Sequence, residues 1–429
     1  MAGTGRLQAI DILRGAAALA VLVLHIPHRL PGYGTAGDLG TWLMIPIELG
    51  GLGVTLFILL SGFCIHSNTL RSAASPDAPL RPRWGAFWKR RFLRLYPPYF
   101  VTMLLSVAVI SYLWLRLGPS HSVTADYASH GWDRLAWDFL AHLLMIHNLT
   151  SDFGLALGNG PLWSLGMEEQ LYLLYFAFLL IHRRWQWRGL LVAGGGVLGL
   201  WNCWQAFGPA QLGTGPLRLG SWHLWPFAFW LMWILGALAA EAHHGRVHLP
   251  RWCSCWRWGA GLATSYLLVS EPFWRAWAGV SSPLGWLIEQ GTIPADWERP
   301  LGAALQAASS LAVSLAFFVL LHRLVGQERQ HGPSRSSAAR WLAHVGWFSY
   351  SLYLTHVLVI AVAETTLGWH SMPKLRYLAW RMVLYPPLCL GFAWLFFKLV
   401  EERFLHAAAP GTARAVAPPP RAAPARQAA

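Results

Sequence analysis

Charge is what this chain has least of. Asp, Glu, Lys and Arg make up 12% of its 429 residues, where a soluble domain carries about a quarter. That shortage, beside 55% hydrophobic residues, 27 Trp and a mean hydropathy of +0.38, excludes a string of soluble domains. It describes an all-α polytopic membrane protein with aromatic belts at its interfaces. Acidic residues are scarcest: 19 Asp and Glu against 33 Lys and Arg leave a formal charge of +14. The basic residues collect in short loops between apolar runs, the positive-inside pattern. This argues against nucleic acid as a partner and for an anionic lipid surface or a polyanionic cofactor on the cytoplasmic side.

Cysteine is sparse as well. Cys64, Cys203, Cys253, Cys255 and Cys389 are scattered, and Cys253 and Cys255 stand too close for a relaxed disulfide and lack a second ligand pair. No metal site is expected. The chain has no internal repeat, and the first apolar run is too long, and too charged at Arg14, for a cleavable leader. The longest outer loop, 271–300, has about thirty residues where a domain needs fifty or more.

What is there is a series of apolar runs. About ten spans are expected, at 8–27, 47–66, 92–115, 162–182, 190–207, 222–241, 258–270, 301–322, 342–363 and 378–400. Seven Arg and Lys between Arg71 and Arg94 put that loop in the cytoplasm, and both termini with it. The apolar stretch 135–148 is read as a short re-entrant or interfacial helix, because a crossing there would invert every later basic loop. Residues 1–406 then form one membrane domain, and 407–429, an Ala, Pro and Arg run without periodicity, a disordered basic tail.

Ionisable residues inside such spans are costly and functional by default. The first span carries Arg14 and His25, eleven positions or about three turns apart, hence on one face and roughly 16 Å apart along the axis. Asp11 is expected to pair with Arg14. In the fourth span Ser164, Glu168, Tyr172 and Tyr175 form a polar stripe, and Glu168 is expected at the depth of His25. A carboxylate beside that imidazole would orient it as a general base for a hydroxyl proton. Tyr350, Tyr353 and His356 share a face of the ninth span, and Gly53, Ser61 and Gly62 of the second permit close helix approach. Arg90, Arg91 and Arg94, followed by Pro97 and Pro98, make a cationic cluster suited to phosphates. The same residues could instead serve a transporter or flippase pathway, or a scaffold without activity.

The Arg14-x10-His25 spacing, GVTLFILLSGFCI, RRFLRLYPPYF, LWSLGMEEQLY, SYSLYLTH and LVEERFL occur in the order seen in the acyltransferase 3 family of membrane acyltransferases. The resemblance covers about residues 7 to 405. It implies a ten-helix domain with both ends inside, in a bacterial cytoplasmic (inner) membrane, and transfer of an acyl group, commonly acetyl from acetyl-CoA, to a hydroxyl. Acceptors across the family include O-antigen, exopolysaccharide, peptidoglycan, other glycans and macrolides. The essential Arg-x10-His pair falls on Arg14 and His25, the Arg-x-x-Arg feature on Arg91 and Arg94, and the WSL-x-x-E motif on Trp163, Ser164 and Glu168. Thr55, Ile58 and Cys64 depart from the usual pattern.

The expectation is therefore an acyl-CoA-dependent O-acyltransferase acting on a glycan or glycoconjugate, or alternatively on a small metabolite. Arg14, Arg90, Arg91 and Arg94 would hold the acyl-CoA from the cytoplasm. His25, with Glu168, would act as base, while Ser164, Tyr353 and His356 would donate to the oxyanion. The acceptor would arrive from the outer side, membrane lipids would surround the bundle, and an oligomer is open.

Overall fold

The computed structural model describes residues 6–27, 39–72, 80–119, 124–154, 157–215, 217–367 and 374–408, and every named element among them is helical. The helices are α1 (Gln8–His25), α2 (Leu39–Glu48), α3 (Leu52–Arg71), α4 (Trp84–Leu117), α5 (Ala125–His130), α6 (Trp132–Leu143), α7 (Trp163–Phe207) and α8 (Trp230–His243). They continue with α9 (Trp256–Val269), α10 (Glu271–Ala278), α11 (Pro283–Glu289), α12 (Glu298–His331), α13 (Ser337–Trp347), α14 (Ser349–Leu367), α15 (Lys374–Phe396) and α16 (Glu402–Ala408). Nearly all of the expected tail lies outside the described residues.

Among the described residues, seven segments are long and apolar enough to cross a membrane: Gln8–His25, Gly40–Arg71, Trp84–Leu117, Gly160–Phe207, Ala295–His331, Ser349–Leu367 and Arg376–Leu405. They contain all or most of eight of the expected spans; the ninth, 342–363, starts in α13 and breaks at Phe348 before α14. The other two, 222–241 and 258–270, appear as α8 and α9, 14 residues each and about 21 Å long. The fourth and fifth spans share the 45-residue α7, which breaks at Gln186 (φ 53°, ψ −157°), backbone that only glycine adopts readily. Trp187 then lies 5.7 Å from Phe178 by ring centroids, where a straight helix would separate them by about 13.5 Å. Trp163 at one end meets Phe229, and Trp201 near the other meets Phe227. The two halves of α7 are therefore a hairpin, with both outer ends at the level of the 222–229 loop. The stretch 135–148 forms α6, 12 residues and about 18 Å, too short to cross.

Small residues set how closely the central helices approach. A Cβ on Gly62 of α3 would stand 2.1 Å from Trp233 O of α8, and one on Gly236 of α8 would stand 2.0 Å from Leu59 O of α3. The α1–α13 crossing repeats the device: Gly15 would meet Leu342 O at 2.1 Å, and Gly346 would meet Asp11 O at 2.0 Å. Gly53 packs on Ala17 O. With apolar lipid outside and apolar side chains inside, close packing rather than water exclusion holds such helices. These crossings fix α1 between α3 and α13, with Arg14 facing inward. Pro97 and Pro98 do not end α4, which runs through them. Tyr350 of α14 donates to Leu95 O at 2.9 Å, beside the carbonyls the prolines leave without a helical donor, the kind of repair membrane helices use.

Candidate active site

Arg14 turns away from Asp11. The chain preceding α1 is extended at Leu7 (φ −88°, ψ 122°), and Arg6 folds back so that Nε and Nη2 donate to the two Asp11 oxygens at 2.6 and 3.0 Å. That fork satisfies the carboxylate with parallel bonds. Arg14, expected to be the partner of Asp11, instead donates from Nη2 to Cys64 Sγ at 3.2 Å and lines two cavities.

A small inner cavity, about 80 Å³, is bounded by α1, α3, α4, α7 and α14, and its polar wall includes Arg14, Ser61, Arg94, Ser164, Glu168 and Tyr353. A larger vestibule opens at the end that carries Arg6, Arg71 and Lys398. The two share Arg14, Arg94, Ser349 and Tyr350. A path from the basic end of the bundle toward Glu168 would run past these two arginines.

Arg94 is the one member of the expected phosphate cluster on this path. Arg91 is turned into the bundle, 9% exposed, its guanidinium 5.9 Å over Phe87 and 5.6 Å over Tyr172. Arg90 lines neither cavity. Of the three, only Arg94 lines the two cavities. Glu401 is a carboxylate on the vestibule wall that the sequence does not single out. It is 2% exposed, accepts from Ser351 Oγ at 2.5 Å, and lines the vestibule with Arg14 and Arg94. Its backbone is a π-helical turn, Phe397–Glu401, a form that concentrates at functional sites. The LVEERFL motif contained the signal, a carboxylate following an apolar span.

Glu168 accepts from Ser61 Oγ at 2.9 Å and from the hydroxyl of Tyr172 one turn along. The predicted pairing of Glu168 with His25 is replaced by these bonds. Ser61, read from the sequence as a packing residue, is its cross-helix donor. Ser164 and Tyr353 lie side by side, hydroxyls 2.6 Å apart, and both reach Pro161 O. Their protons are shared within that triangle.

The ring beside His25 is His356. Its Nε2 is 3.3 Å from His25 Nδ1, with ring centroids 4.9 Å apart and planes near perpendicular. His356 is 1% exposed, and its Nδ1 donates to Leu352 O and Tyr353 O at 3.1 and 2.8 Å. A carbonyl accepts only, so His356 carries its proton on Nδ1 and offers the Nε2 lone pair. His25 Nδ1 is also 2.8 Å from Val21 O. In its neutral form His25 is therefore protonated at Nδ1, and Nε2 is its basic nitrogen. His356 acts as an acceptor toward His25, so the oxyanion-donor role expected of it is not open in this geometry. Neither His25 nor His356 lines the two cavities; Tyr353 is the neighbour that does, lining the inner one with Glu168, its ring 6.0 Å from that of His356.

Residues 7–398 match the model of a family described as an acyltransferase domain. The chain is 27% identical over 375 residues to "Acyltransferase MdmB" of Streptomyces mycarofaciens, covering 85% of this chain and 81% of that protein. It is 30% identical over 176 residues to "Peptidoglycan O-acetyltransferase OatA" of Listeria monocytogenes, covering 41% of this chain and 24% of that protein. "Nodulation protein 10" of Rhizobium leguminosarum is 27% identical over 218 residues, 48% of this chain and 53% of that protein. The chain thus spans most of the first relative but about a quarter and half of the other two. No solved structure matches the chain significantly.

Proposed function

The chain belongs to the acyltransferase 3 family of membrane acyltransferases, and on that premise we propose that it moves an acyl group, acetyl in the first instance, from acyl-CoA to a hydroxyl of a glycan or glycoconjugate. In this reading ten segments cross a bacterial cytoplasmic membrane, both termini are cytoplasmic, and 407–429 is a tail outside a single membrane domain. The half-helices of α7 count as two crossings, and α8 and α9 complete the set.

The observation that carries the proposal is the meeting of the two cavities at Arg14 and Arg94. Acyl-CoA enters the vestibule from the cytoplasm with its phosphates toward the basic mouth, and its thioester passes between the guanidinium groups. Arg94, rather than Arg90 or Arg91, is the arginine of that cluster that meets the donor. Glu168 and Glu401 hold the two cations in place, since a guanidinium in an apolar bundle needs a carboxylate near it.

The acceptor hydroxyl comes to Nε2 of His25, and His356 holds the ring through Nδ1. As the hydroxyl oxygen attacks the thioester carbonyl, its proton passes to Nε2. Collapse of the tetrahedral intermediate expels the CoA thiolate, which takes that proton. Ser164 and Tyr353, next to each other on the cavity wall, stabilise the oxyanion once Pro161 O gives up one of its two hydroxyl donors. The names of OatA and of a Bacillus subtilis relative, "Putative peptidoglycan O-acetyltransferase YrhL", support a glycan hydroxyl as acceptor. MdmB, matched over most of both chains, is named only as an acyltransferase.

The test is acceptor-dependent release of free CoA from acetyl-CoA by the purified protein in vesicles, with glycan and small-molecule acceptors in parallel. Release that requires an acceptor supports acyl transfer. Transport of labelled substrate across the vesicle wall with no release replaces it by the transporter reading.

A further inference from the structure

A second pocket lies away from the path to Glu168, at the basic end where α4 begins, α7 reverses and α8 ends. Arg81, Arg183 and Arg246 supply three guanidinium groups on its wall, against one carboxylate, Glu241. That carboxylate is 3% exposed and is engaged by the buried His66, whose Nε2 stands 3.0 Å from Oε1, with His182 Nε2 at 3.8 Å. The wall therefore presents net positive charge.

The rest of the wall is apolar and faces outward. Phe176 and Leu180 of α7 are 55% and 54% exposed on a helix that crosses the membrane, so lipid chains cover them. The indole Nε1 of Trp187, on the same wall, is buried and without an acceptor among the described residues. A buried N–H left without a partner is costly, and a ligand oxygen would satisfy it. Gln186, held in its glycine-like conformation, is what turns Trp187 back to this position.

We propose that this pocket binds the phosphate of an anionic phospholipid, with the headgroup on Arg81 and Arg183, a phosphate oxygen accepting from Trp187 Nε1, and the acyl chains along Phe176 and Leu180. Guanidinium forks match phosphate oxygens. The juxtaposition of cationic floor and lipid-facing apolar wall separates a membrane lipid from a soluble anion, which needs no apolar groove. The site is independent of the acyl-transfer reading, because none of its residues lines the donor path.

The experiment is native mass spectrometry of the full chain in detergent, titrated with short-chain phosphatidylglycerol, short-chain phosphatidylcholine, glycerol phosphate and CoA. The expected result is one tightly held phosphatidylglycerol, with phosphatidylcholine and glycerol phosphate far weaker. Arg81→Gln and Arg183→Gln should each weaken it about fivefold, and Trp187→Phe severalfold, while Arg71→Gln in the neighbouring vestibule leaves it unchanged. Size-exclusion profiles that match wild type show that each variant is folded. Equal binding by glycerol phosphate, displacement of the lipid by CoA, or the same lipid retention in wild type and the Arg81→Gln/Arg183→Gln double variant would overturn the proposal.

Discussion

His356 Nε2 accepts from His25 Nδ1 across 3.3 Å, so one buried imidazole orients another where a carboxylate was expected. The pair joins α1 to α14 and fixes which nitrogen of His25 is basic. His356→Gln keeps an acceptor within reach of Nδ1, whereas His356→Ala does not. Turnover is expected to fall in both, further in Ala, with the KM for acyl-CoA unchanged. Steady-state kinetics on the two variants check this; a rise in KM with turnover intact would place His356 in donor binding.

The arginines of the 90–94 cluster should separate cleanly. Arg94→Gln is expected to raise the KM for acyl-CoA by about 10–100-fold, the loss of a hydrogen bond to a charged group at about 1.5–3 kcal/mol. Arg90→Gln should leave KM where it is, since Arg90 lines neither cavity. Arg91→Gln should lower thermal stability before it changes KM, because its guanidinium packs over Phe87 and Tyr172. Donor titrations with melting curves on all three distinguish these outcomes.

Glu168 is expected to matter through its charge. Glu168→Gln keeps an acceptor oxygen for Ser61 and Tyr172 but removes the anion beside Arg14 and Arg94, and turnover should fall strongly. Tyr172→Phe removes one donor to Glu168 and should fall less. Parallel kcat measurements order the two; a larger loss in Tyr172→Phe would mean that the hydroxyl, not the carboxylate, does the work.

The glycine crossings predict where stability resides. Gly62→Ala places a methyl about 2 Å from Trp233 O and should destabilise the bundle by about 1–3 kcal/mol. Gly195→Ala, on the outer half of α7 with nothing within 4 Å of its Cβ, should be neutral or slightly stabilising. Thermal unfolding in detergent compares them.

The membrane class, the close approaches at Gly53 and Gly62, and the short α6 were legible because apolar run length and residue size act locally. The partners of the charged groups were not. Asp11 and Arg14 are three apart on one helix, yet Arg6, reached through the extended chain at Leu7, takes the carboxylate. His25 and Glu168 were matched by estimated depth, but depth says nothing of rotation about the axis, and α14 brings His356 instead. Glu401 stayed hidden because a carboxylate at a span's end reads as an interfacial charge until its burial against Ser351 is seen. The reversal at Gln186 falls in the break expected between the spans 162–182 and 190–207, where Arg183, Arg184 and Arg188 interrupt the apolar run; what the sequence did not announce is that one helix runs into the other without a loop.

The central claim is that His25 is the base of an acyl transfer fed from the basic end of the bundle. It is tested most directly by acceptor-dependent CoA release from acetyl-CoA in vesicles, wild type against His25→Ala. The account predicts a fall of about 10²–10⁴-fold, the range a positioned general base contributes, with acyl-CoA binding retained. Undiminished release by His25→Ala would contradict it.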